Sequence, residues 1–160
     1  MFKKGEIDGV HIEKLVKHVD ERGFLVETFR VDTLPDGLNP QMSYVSYTEP
    51  GVSRGPHEHS TQTDIFAFIG PGNFRINLWD NRKGSATHGN SMIIFGGEDN
   101  PLLIVVPPGV VHAYKNMSKT VQGMVLNYPD RLYKGSGKKE EVDEIRHEDK
   151  EDEFYRDIIG

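Results

Sequence analysis

The apolar stretches of this chain are short, and glycine or proline closes most of them. Leu102-Leu-Ile-Val-Val106 lies between Pro101 and Pro107, and Thr63-Asp-Ile-Phe-Ala-Phe-Ile69 stops at Gly70-Pro71-Gly72. A buried helix needs about 10–12 residues at a 3.6-residue period, so these runs are strand-length and the fold they build is β-rich. Seventeen glycines and nine prolines, spread over 160 residues, supply the turns.

Strands are expected at residues 10–16, 23–30 and 41–47, separated by turn chemistry at 20–23 and 32–37. Residues 63–69 and 73–79 read as a hairpin with its apolar face inward, and further strands are expected at 91–95, 101–107 and 121–127. No helical period is sustained before residue 138, which points to a sandwich or jelly-roll barrel. The charged stretch 140–156 reads either as a helix or as an extended tail.

At this length one domain is expected, able to bury roughly 70% of its unfolded surface. Its barrel core spans about residues 9–134 and a charged tail fills 135–160. There is no cysteine, so disulfides and thiolate metal sites are excluded. The net charge of −6 argues against nucleic acid and anionic membranes as partners, although a small anion held by a few arginines remains compatible. No apolar run follows the basic start, and none approaches the roughly 20 residues of a membrane span, so a soluble cytoplasmic protein is expected.

Two segments carry the chemistry. The first is Gly51-Val-Ser-Arg54-Gly55-Pro56-His57-Glu58-His59, and the second is Pro107-Pro-Gly109-Val-Val-His112-Ala-Tyr114-Lys-Asn116. On a strand His57 and His59 share a face, Glu58 points away to solvent, and Tyr114 shares the face of His112. Asp64 follows closely and reads either as a carboxylate at the same mouth or as a plain polar residue at a strand start.

These motifs resemble the two signatures of the cupin superfamily, with Gly51, His57, His59, Asp64 and Gly70 or Gly72 in the first, and Pro107, Gly109, His112 and Asn116 in the second. The resemblance implies an all-β double-stranded β-helix, the cupin jelly roll. In metal-binding cupins the equivalents of His57, His59, Asp64 and His112 are the ligands, which implies one divalent transition metal as an alternative cofactor reading.

A narrower resemblance covers most of the chain. Asp20-Glu-Arg22-Gly-Phe-Leu-Val-Glu27, Gln41, Arg54-Gly-Pro-His57, Gly72 with Asp80-Asn-Arg82, and Pro108-Gly-Val-Val-His112 stand in the order found in dTDP-4-dehydrorhamnose 3,5-epimerases. That resemblance implies a cofactor-free epimerase of a nucleotide-linked 4-keto-6-deoxy sugar in polysaccharide precursor synthesis, and a homodimer is expected because such barrels commonly pair sheets or exchange an N-terminal strand to cover edges. His57 would be the base, oriented by a carboxylate of the C-terminal region for which Asp149 is the candidate. Arg22 and Arg54 would hold the diphosphate, a role that suits the guanidinium fork; surface salt bridges are the plain alternative. Glu27, Gln41, His112, Tyr114 and Tyr133 complete the expected substrate-binding set.

Three departures stand against this pattern. Asp64 replaces the family's lysine, Asn127 replaces the tyrosine that serves as acid, and His59 replaces a glutamine. Tyr128, next to Asn127, is the remaining candidate acid. Two alternatives therefore stay open: a metal-dependent cupin isomerase or oxygenase using His57, His59, Asp64 and His112, and a non-catalytic sugar-binding cupin.

Overall fold

The computed structural model describes residues 2–148 and Tyr155, and β-structure dominates them. In chain order the strands are β1 (Lys3–Lys4), β2 (His11–Lys14), β3 (Lys17–Asp20), β4 (Gly23–Val26), β5 (Tyr44–Thr48), β6 (Ser53–Glu58) and β7 (Asp64–Phe68). They continue with β8 (Asn73–Asp80), β9 (Asn90–Gly97), β10 (Leu102–Val106), β11 (Val110–Asn116), β12 (Gly123–Asn127) and β13 (Ile145–Arg146). One sheet has the order β1-β9-β8-β11-β6-β13 and the other β2-β10-β7-β12-β5, while β3 and β4 form a separate hairpin. Two packed sheets of antiparallel strands, with only β1 parallel to its neighbour, make a jelly roll.

The core follows from alternation. Phe74, Ile76 and Leu78 on β8 meet Phe66 and Phe68 on β7 and Leu102, Ile104 and Val106 on β10 between the sheets. The alternate residues Ile65, Ala67, Leu103 and Val105 form a second apolar layer outside the β10-β7-β12 sheet, covered by Leu34, Phe29 and Leu38. Both faces of β7 and β10 are thus buried, which is why their sequences read as continuous apolar runs. Outside the other sheet, Trp79, Val111 and Ala113 pack on Tyr155 and Phe2.

Residues 63–69 and 73–79 do not pair as a hairpin. β7 bonds to β10 and β12, and β8 bonds to β9 and β11, so the glycines and proline at 70–72 carry the chain from one sheet to the other. The expectation failed because a tight turn between two apolar runs looks the same whether the strands pair or pack face to face.

After a 3-10 turn over Ser136–Lys138 the tail is extended through residues 141–146, and Tyr155 beyond them is helical. β13 adds to β6 in antiparallel register, with Ile145 opposite Glu58 and Arg146 opposite His57. Glu58 does point to the outer face, but the tail covers it. Its carboxylate accepts from Asn81 Nδ2 at 3.0 Å and meets His147 Nε2 at 2.8 Å, so the expected solvated residue is buried. Among the described residues no helix is long and apolar enough to cross a membrane.

Candidate active site

The bulge between β6 and β11 shapes the site. His112 pairs with His57 but Tyr114 pairs with Arg54, so two residues of β6, Gly55 and Pro56, face one residue of β11. Arg54 and His57, three apart, would lie on opposite faces of a regular strand; the extra residue turns both toward one cavity. Gly55 makes this possible with φ 79°, and a Cβ there would stand 2.5 Å from the His112 carbonyl oxygen.

That cavity measures about 1370 Å³ and opens between the ends of the two sheets, large enough for a ligand of nucleotide-sugar size. Gln41, Arg54, His57, His59, Tyr114 and Tyr133 all line it, whereas Asp64 and His112, at 1% and 3% exposure, are buried behind His59 and His57. Arg54 is braced: Nε donates to Thr48 Oγ1 at 3.0 Å and Nη2 to the Tyr47 carbonyl at 2.7 Å. Arg131, Lys134 and Arg146 add positive charge to the wall.

The imidazoles converge on Asp64. His59 Nε2 is 3.1 Å and His112 Nε2 3.2 Å from Asp64 Oδ2, while Oδ1 accepts from Gln62 Nε2 and Asn127 Nδ2, each at 2.9 Å. His112 Nδ1 meets the Val110 carbonyl at 3.1 Å, and His59 Nδ1 meets that of Asp143. A carbonyl only accepts, so Nδ1 carries the hydrogen in both rings and the Nε2 lone pairs face a carboxylate. Asp64 Oδ2 and His112 Nε2 accordingly have no hydrogen-bond partner, despite being buried and adjacent.

A positive charge placed among these atoms relieves that opposition. A proton on His59 Nε2 meets Asp64 Oδ2 and leaves the His112 Nε2 lone pair unmet: although burial alone would lower its pKa, Asp64 and the Asp143 backbone and charge raise His59 to about 9. Burial likewise opposes ionisation of Asp64, and the two histidines overcome it, holding the carboxyl below its ordinary range. A divalent cation would fit too, because one ligand atom from each of His57, His59, Asp64 and His112 lies within 4.8 Å of the others. An Nδ1–H anchored on a carbonyl with Nε2 presented is how ligand histidines are oriented.

His57 differs from its neighbours. Burial, then the nearby His112, hold its pKa down at about 2, so the ring is neutral throughout the physiological range. Its Nδ1 lies 3.9 Å from Glu144 Oε1. Asp143 fixes this part of the tail by accepting from the backbone N–H groups of Ser60, Thr61 and Gln62 at 3.0, 2.9 and 2.9 Å.

Several expected positions lie elsewhere. Tyr128 follows inward-facing Asn127 and so points outward, bonding Thr28 Oγ1 at 2.7 Å and packing on Phe29. It cannot be the acid within this cavity. Arg22, on the β3–β4 turn, pairs with Asp20, and Glu27 pairs with Arg30; neither lines the cavity of its own chain. Asp149 falls outside the described residues, and among these Glu144 is the carboxylate within 4.0 Å of a His57 ring nitrogen. The sequence reading missed Glu144, Asp143, Asn127 as a bonding partner, and Tyr44, whose hydroxyl accepts from Asn127 Nδ2 at 2.7 Å. Only the alternation along β5, with Tyr44 and Ser46 on one side, hinted at the last.

The family model for dTDP-4-dehydrorhamnose 3,5-epimerase matches residues 4–151. The spore coat polysaccharide biosynthesis protein SpsL of Bacillus subtilis is 38% identical over 116 residues, 71% of this chain and 74% of that one. The probable low-salt glycan biosynthesis epimerase Agl13 of Haloferax volcanii is 35% identical over 128 residues, 79% of this chain and 81% of its own length. Among solved structures, a dTDP sugar isomerase from Desulfovibrio desulfuricans superposes with a TM-score of 0.75 at 24% identity, covering 88% of this chain and 84% of that one. With the model spanning nearly the whole jelly roll, from β1 to the strand beside His57, the chain belongs to the dTDP-4-dehydrorhamnose 3,5-epimerase family of cupin-fold sugar isomerases.

Proposed function

We propose that this chain epimerises a nucleotide-linked 4-keto-6-deoxy sugar, with His57 as the base. The observation that carries the reading is the placement of His57: on the cavity wall, with the Glu144 carboxylate 3.9 Å behind Nδ1. A neutral imidazole accepts the proton from the carbon beside the C4 ketone, and Glu144 then stabilises the imidazolium. Arg54 is suited to the diphosphate, since its braces occupy only two of its five N–H groups. Tyr133 at the cavity edge offers a ring to stack on the base or sugar. The reaction so read needs no cofactor.

The test is incubation with a dTDP-4-keto-6-deoxy sugar in D2O followed by NMR. Deuterium should enter next to the ketone, and His57→Ala should abolish its entry. Thermal stabilisation by the sugar nucleotide without any exchange would overturn the reading in favour of a binding protein.

A second reading has its own observation, the facing lone pairs of His112 Nε2 and Asp64 Oδ2. His57, His59, Asp64 and His112 would hold one divalent transition metal, which as a Lewis acid would polarise the keto oxygen where the family uses a lysine. His57 would then be a ligand and not the base. Stoichiometric metal after supplementation, lost in Asp64→Asn, would favour it; well under one equivalent would eliminate it.

The proposed unit is a homodimer. Val19, Phe24 and Leu25 on the β3–β4 hairpin and Val31 beyond it are exposed, an apolar patch that a second copy would cover. Arg22 and Glu27 lie on or just beyond this hairpin and outside their own cavity, so the dimer would offer them to the partner's ligand. Phe24→Asp should shift the mass in light scattering to that of a monomer.

A further inference from the structure

Resting on the epimerase reading, we propose that Tyr44 is the catalytic acid, delivering a proton to the substrate face opposite His57. Inversion requires that a carbon lose its proton on one side and regain one on the other. Donors must therefore stand on both walls of the cavity.

His57 stands on β6, in the sheet that also holds β11. Tyr44 stands on β5, the edge of the other sheet, and lines the same cavity. A sugar ring lying between the sheets would show one face to each. The other tyrosines there fit less well: Tyr114 comes from β11, the His57 side, and its hydroxyl is engaged with Ser46 Oγ at 3.2 Å. Tyr133 stands beyond β12, on neither sheet, and lies under the Lys134 ammonium.

The bonding around Asn127 decides the direction of the Tyr44 proton. Asn127 Oδ1 accepts from the Ile65 N–H at 3.1 Å, so the amide is oriented with Nδ2 toward Asp64 Oδ1 at 2.9 Å. The carboxylate can only accept, which confirms that orientation. Nδ2 consequently donates its second hydrogen to the Tyr44 hydroxyl at 2.7 Å. The phenol oxygen is an acceptor there, and its own hydrogen is left to donate. Among the described residues no acceptor for it is found, and the open side is the cavity.

Register explains the origin of this arrangement. Tyr44 and Asn127 are direct partners across β5 and β12. The family pattern places its acidic tyrosine where Asn127 stands; here the phenol stands one strand over and the amide holds it. Burial, with Asp64 adding to it, raises the Tyr44 pKa, so the proton is retained until an enolate arrives.

The step balances. His57 Nε2 takes the proton as the C–H bond breaks, giving an imidazolium and an enolate. The enolate carbon then forms a bond to the Tyr44 hydrogen on the other face as the O–H bond breaks, giving the inverted ketone and a phenolate. Water carries the proton from imidazolium back to phenolate.

Tyr44→Phe tests this, because it removes one oxygen from a half-exposed ring on an edge strand and leaves the packing in place. In D2O the variant should still exchange the substrate hydrogen, with return from the same face, at a rate within a few-fold of wild type. Inversion should fall by about a hundredfold or more. Tyr128→Phe, outside the cavity, should invert normally. Inversion by Tyr44→Phe at the wild-type rate would overturn the assignment. Equal loss of exchange and inversion in a variant of unchanged Tm would overturn it too, since the phenol would then serve binding or the base. A wild-type protein that neither exchanges nor inverts the sugar fails the epimerase reading itself, a distinct result.

Discussion

Glu144 Oε1 stands 3.9 Å from His57 Nδ1, and a strand of two residues puts it there. β13 pairs Arg146 with His57 and Ile145 with Glu58, which sets Glu144 beside the cavity instead of outside it. The tail is held on both sides of this strand. Asp143 gathers three backbone N–H groups before it, and His147 donates its N–H to the Pro56 carbonyl at 3.0 Å and meets buried Glu58 after it.

Glu144→Gln should therefore lower kcat while leaving KM nearly unchanged. The amide keeps the shape but not the charge that stabilises an imidazolium, and a loss on the order of tenfold or more is expected. Steady-state kinetics check it. A rise in KM at constant kcat would mean that Glu144 binds substrate and does not orient the base.

Arg54→Lys should raise KM for the sugar nucleotide about 10- to 100-fold, the equivalent of one lost charged hydrogen-bond pair at about 1.5–3 kcal/mol. Lysine carries the charge but has no fork, so it cannot hold Thr48 Oγ1 and the Tyr47 carbonyl while also reaching a diphosphate. Binding of dTDP by calorimetry measures this directly.

Much of the site was legible in the sequence, and the rest was not for definite reasons. The His-x-His spacing, the Pro-Pro-Gly turn before His112 and the glycine rhythm are local signals, and local signals survive in one dimension. The pairings of Tyr44 with Asn127 and of β13 with β6 join residues more than eighty positions apart, and no periodicity records them. Glu58 shows the same limit from the other side: alternation puts it on the outer face, but whether a distant segment covers that face is a tertiary fact. Adjacency to Asn127 singles out Tyr128 in one dimension, and adjacency on a strand means the opposite face.

Gly55→Ala should destabilise the fold and impair catalysis together. The new Cβ would meet the His112 carbonyl oxygen at 2.5 Å in a backbone with φ 79°, so either the bulge or β11 must move. A cost of about 1–3 kcal/mol is expected, a Tm decrease of roughly 2–4 °C for each kcal/mol in a chain of this size. Gly51→Ala, with a similar φ but open space around it, should cost less, which separates the clash from the dihedral.

In chelator-treated protein the pH dependence of stability should be two-sided, with its maximum near the ordinary histidine pKa. His59 rises from 6.5 to about 9 on folding, so between those values the folded chain holds more proton than the unfolded one. Its contribution is complete below pH 6.5 and is lost as pH climbs through 9. His57 falls from 6.5 to about 2, so below pH 6.5 the unfolded chain binds the extra proton and stability declines as pH falls. Asp64, held below its ordinary 3.8, loses its contribution in the same direction at still lower pH, which steepens the acid side. His59→Gln should flatten the limb between pH 6.5 and 9 and leave the acid limb standing, measured as Tm against pH by calorimetry. An alkaline limb unchanged in that variant would mean that Asp64 takes its compensating charge from somewhere other than His59.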